Sequence, residues 1–177
     1  MAMPASPVDL LATRSLLLRL FGFTDWSFAH LCSLAAPLSP EQLDTPVPMG
    51  LGSLRATINH LVFAEHVWQQ RYLSTPPPPR PVYVQPPNPM TLAAEYCGLA
   101  TPRTIWLEQA DDATLAGTIV YHRGDTRLES RLIDILLHVN THAMHHRAQA
   151  INMLRQLGVH YGPSDFIAFA RGTIGPS

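Results

Sequence analysis

The sequence predicts an all-α protein: a four-helix bundle with a proline-rich connection and a small β-hairpin before the last long helix. Three observations predict it. Four long stretches, near 9–35, 53–73, 91–110 and 130–157, repeat apolar residues at the three-to-four spacing of one helix face. A proline-dense run, 74–90, parts the second from the third. A short alternating segment around Gly124 and Asp125 parts the third from the fourth. Such helices bury their apolar stripes against one another, and the long connections leave the helix order open.

Each element has a local reason. The first helix ends before Pro37, and Gly22 marks a place where it can bend. In "SPEQL", Ser39 caps a short turn, Pro40 takes the first helical position and Gln42 completes a capping box. Ser53 is the N-cap of the second helix, which runs to about Leu73. "STPPPPRPVYVQPPNPM" cannot be helical, because repeated proline removes amide donors and fixes φ. Over 76–89 the expectation is an extended surface connector rather than a recognition sequence for a partner. Pro102 is expected to kink or break the third helix. The last closes at Gly158, a natural left-handed cap, and the tail packs Phe166, Ile167 and Phe169 onto the body.

Composition narrows the function classes. The chain has 177 residues, 46% hydrophobic and 14% charged, which fits one well-buried domain over 1–177. A net charge of -1 gives no basic surface for nucleic acid or anionic membrane. No apolar run reaches the ~18 residues of a membrane span. Arg14 and Arg19 interrupt the N-terminal apolar stretch, which argues against a signal peptide. Cys32 and Cys97 lack metal or redox spacing, so both are expected to pack as small hydrophobes in a cytoplasmic protein.

The stretch "LLHVNTHAMHHRAQ" places four histidines within nine positions. At 100° per residue, with His142 at zero, Leu132, Ile135, Val139, Ala143, Ala150, Met153 and Leu157 fall between about 20° and 100°, and His146 at about 40°. His142 and His146 therefore share the core face one turn apart, a spacing that chelates a divalent ion. His145 and His138 lie near -60° and -40°, at the stripe's edge. On the second helix His60 shares a face with Leu54, Thr57, Leu61 and Ala64, and His66 points roughly opposite. His60 is thus the expected third ligand, weighed against three histidines merely hydrogen-bonded in the core. A shared ion removes the cost of burying unpartnered imidazoles, on the order of 1–3 kcal/mol each.

Other chemistries fit less well. Position 143 is Ala where a zincin HExxH needs its glutamate, and the Glu-x-x-His pairs of di-iron bundles are missing. Gln149, near -20°, and Asp134, one turn before His138, are placed to orient imidazoles or simply to bond at the surface.

The residues resemble a known family. "GSLRATINHLVFAEHVWQQR", then "HVNTHAMHHRAQAINMLRQLG" and "GPSDFIAF", are similar to the motifs of DinB/YfiT-like metal-binding four-helix bundles. The resemblance covers both histidine-bearing helices and the overall length, and little of 74–128. It implies metal ligands at His60, His142 and His146. It also implies nickel, zinc, iron or manganese as the ion, homodimers, and in some relatives transferases or isomerases using a low-molecular-weight thiol. Ala148 stands where glycine is common, and Asn140-Thr141 where an Asn often directly precedes the ligand.

The leading expectation is a metal-dependent enzyme acting on a small molecule, in which the ion activates a thiol cosubstrate. A hydrolase is the alternative, with His145, His138 or Asp165 as general base. A noncatalytic dimeric bundle is the third, with His66, Ile58 and Val62 on a partner-facing side of the second helix.

Overall fold

The computed structural model describes residues 10–73 and 86–172. Its long helices are α1 (Leu10–Ala35), α3 (Leu54–Tyr72), α4 (Pro89–Gln109) and α6 (Leu132–Gln156). Between them lie α2 (Pro40–Leu43), α5 (Asp112–Ala116) and the antiparallel pair β1 (Thr118–Arg123) and β2 (Thr126–Arg131), and α7 (Phe166–Arg171) follows. Among the described residues no helix is long and apolar enough to cross a membrane.

Local chemistry sets the boundaries. Ser39 and Gln42 form the reciprocal capping box, and the Ser53 hydroxyl accepts from the Ala56 amide. Gly124 turns the hairpin at φ 57°, and Gly158 ends α6 at φ 78°. Pro102 sits inside α4 without ending it, and α1 runs unbroken through Gly22. At Gly22 an added Cβ would make only ordinary contact with Phe169, so the packing there does not require a glycine. Phe166 and Phe169 pack on Phe23, whereas Ile167 is exposed. The connector expected over 76–89 lies mainly outside the described residues.

Helix α1 packs on α4 and α6, and α3 packs on the same two. The pairs α1/α3 and α4/α6 therefore sit on the diagonals, with α3 beside α6 although the hairpin and α4 intervene in sequence. This corrects one expectation. Ile58 and Val62, assigned to a partner-facing side, are buried, because α3 feeds two helix neighbours and needs two apolar faces. Cys97 is exposed; Cys32 is fully buried, and burial pushes its thiol up to about 12.

The core is in two blocks. One gathers Leu31, Leu54, Ile58, Leu92 and Met153; the other Leu17, Phe21, Leu107, Leu115 and Leu136. Between them each helix contributes buried polar groups: Thr24 and Ser27 from α1, Glu65 and Gln69 from α3, Arg103 from α4, Asn140 from α6. His142, His145 and His146 of α6 lie at this level of the bundle, between Val139 of one block and Ala150 of the other.

Candidate metal centre

His60, His142 and His146 come together with one ring nitrogen from each within 4.8 Å of the others. Nε2 of His60 lies 3.3 Å from Nε2 of His142. Two nitrogens on one tetrahedral ion, each about 2.0–2.1 Å from it, stand roughly 3.3 Å apart. The donor set, three imidazole nitrogens drawn from two helices, therefore fits a divalent ion.

The protonation states suit the task. Burial, reinforced by the neighbouring histidines, drives His142 down to about 4, and burial also lowers His146. Both are neutral near pH 7, the form that ligates. Gln149 settles which nitrogen of His146 faces inward. Its Oε1 is 2.9 Å from His146 Nδ1, and an amide oxygen only accepts, so Nδ1 carries the proton and Nε2 keeps its lone pair. The same side chain donates from its amide nitrogen to Nε2 of His145, at 3.0 Å. Gln149 thus bonds both His146 and the exposed His145.

The remaining predicted residues are more distant. His138 is exposed and packs edge-on against Trp68, 4.9 Å between ring centroids, with His142 at 5.6 Å. Asp134 is exposed in the first turn of α6, eight residues and so about 12 Å of helix rise before His142. Asp165 is exposed and caps α7, accepting from the Ala168 amide at 2.8 Å. That bond gives it a structural task at the start of α7.

Sequence reasoning missed several neighbours. Gly50, in the loop before α3, has φ 55°, and a Cβ there would overlap the Gln149 amide. The loop backbone thereby holds Gln149 against His146. Gly50→Ala is expected to displace the amide and weaken ion binding about 10–100-fold, as loss of an outer partner does. Gly52→Ala, also at positive φ but with nothing within 4 Å, should cost stability and leave ion affinity alone. Competition with a coloured chelator measures both; equal affinities in the two variants would refute the positioning role.

A second missed feature is a buried ion cluster. Arg103, 1% exposed, donates to Glu65 at 2.6 Å and to both oxygens of Asp25, and its guanidinium lies over the Phe21 ring. Burial raises the pKa of Glu65 and Asp25, and Arg103 opposes the rise. The third is a cavity of about 120 Å³ behind the centre. His142, Trp68, Asn140, Glu65, Ser27 and Arg147 line it among mostly apolar side chains.

The match to known families falls on this whole arrangement: the model of the DinB family aligns with residues 14–176. The chain belongs to the DinB family. Comparison with curated proteins gives no match. As a DinB-family bundle, the protein carries its three-histidine group at the junction of α3 and α6, with His142 also lining the apolar cavity.

Proposed function

We propose that this DinB-family protein is a metal-dependent enzyme that joins a low-molecular-weight thiol to, or uses it to isomerise, a small electrophilic substrate. One observation carries the reading: three imidazoles stand close enough to share a single ion, and one of them, His142, lines a cavity sized for a small molecule. A divalent ion there, whether zinc, nickel, iron or manganese, supplies Lewis-acid chemistry that lowers the pKa of a thiol at the fourth position.

The chain's residues supply the setting. His60, His142 and His146 hold the ion, and Gln149 fixes the tautomer of His146. The apolar lining excludes water from the electrophile. His138, solvent-exposed beside His142, receives the proton the thiol releases and passes it to solvent. In a transfer reaction the sulfur then bonds to the electrophilic carbon, and the leaving group departs with the electron pair of the broken bond.

The test is conjugation of 1-chloro-2,4-dinitrobenzene to a panel of small thiols, glutathione and cysteine among them. With metal-loaded protein the rate is expected to exceed background, to fall to it on chelation and to return with added metal. A rate indifferent to chelator would refute the proposal. Ester hydrolysis under chelator control, with no thiol dependence, would favour the hydrolase instead.

A further inference from the structure

Among the described residues Arg147 has no carboxylate partner. It follows His146 in sequence, but the 100° turn carries it to the cavity side, where it lines the same space as His142. Its guanidinium has five N–H donors, and NH1 gives one to the buried Ser27 hydroxyl. Ser27 in turn donates to the Thr24 carbonyl, so its oxygen is held in place to accept. The face of Phe23 covers the guanidinium at 4.4 Å. No carboxylate pairs with Arg147 among the described residues, and its other N–H groups bond to none of them. Glu65 is the cavity's one acidic lining residue, and Arg103 already binds it.

A half-buried guanidinium held by one hydroxyl and one ring, facing an apolar space, is costly unless an anion completes it. The fork geometry suits a planar carboxylate, which takes two parallel N–H bonds. A cavity on the order of 150 Å³ accommodates benzene, so this one, at about 120 Å³, takes a body of about five carbons.

We infer that the cavity is a carboxylate subsite: Arg147, steadied by Ser27 and Phe23, binds the carboxylate of a small substrate whose apolar body fills the space toward His142. The substrate class is thus a short-chain or compact carboxylic acid bearing its reactive carbon near the other end. The assignment of that end to the ion rests on the proposed function; the carboxylate contact stands on Arg147 alone.

Calorimetric titration of the full-length protein with isovalerate, and with its uncharged isostere isovaleramide, tests this in metal-loaded and metal-free forms. Isovalerate is expected to bind at least about tenfold more tightly than the amide in both. Arg147→Gln is expected to erase that preference. In the wild-type protein isovalerate, and not the amide, is expected to shield Arg147 from phenylglyoxal, a readout that needs no variant to fold. Equal or undetectable binding of the two probes, or a preference that survives Arg147→Gln in folded protein, overturns the subsite. A preference seen only with metal present means that the carboxylate binds the ion, which also overturns the subsite and leaves the proposed function standing. A preference retained by protein that takes up no metal supports the subsite and removes the function.

Discussion

Replacing His142 by alanine is expected to lower affinity for a divalent ion at least about 100-fold, because removing an outer partner alone already costs about 10–100-fold. The reason is geometric. His142 faces both other members of the group, its ring centroid 5.1 Å from that of His60 and 4.5 Å from that of His146. Its loss leaves one nitrogen on each of two helices and removes the 3.3 Å pair that matches a shared ion. His60→Ala is expected to do the same, leaving the i, i+4 pair of α6 as a weak two-nitrogen chelate. His66→Ala, a half-buried histidine of α3 outside the group, is the control and should change nothing. Metal analysis of untagged protein after gel filtration reads all three, and unchanged stoichiometry in His60→Ala and His142→Ala would reject the centre.

The second large effect concerns Arg103. Arg103→Met is expected to destabilise the fold by about 3–5 kcal/mol, the usual cost of stranding one side of a buried ion pair. Glu65, 4% exposed, and Asp25 would face each other's charge with no cation between them. Adding Glu65→Gln and Asp25→Asn to the same chain should recover part of the loss, since the network then has no stranded charge. Urea denaturation of the single and triple variants measures it. A loss below about 1 kcal/mol in Arg103→Met would show that the cluster is relieved by protonation or solvent rather than by Arg103.

These two sites differ in how far the sequence revealed them. His142 and His146 could be placed because a helix repeats every 3.6 residues, so the core-facing stripe of α6 predicts where each imidazole points. His60 followed from the same rule on α3, and the resemblance selected the same three residues. The Arg103 cluster draws one residue from each of three helices, and nothing within any one helix distinguishes Arg103 from a surface arginine beside Pro102. Gly50 and Gln149 meet across about a hundred residues, again without a local signal. The misassignment of Ile58 and Val62 has the converse cause: periodicity identifies an apolar face, not how many neighbours a helix has. The short α5, capped by Asp111, was overlooked because a five-residue helix is too brief to show a period.

The diagonal arrangement of the bundle affects how the protein is made. His60 and His142 are separated by 82 positions, which a ribosome adding about 5–20 residues per second takes roughly 4–16 s to bridge. Throughout that interval His60 has neither His142 nor His146 to converge with, so the growing polypeptide lacks the ligand set that the finished bundle brings together. An ion that needs all three residues can be held only once the last long helix has been made, and which ion such a set takes depends on availability as much as on the ligands.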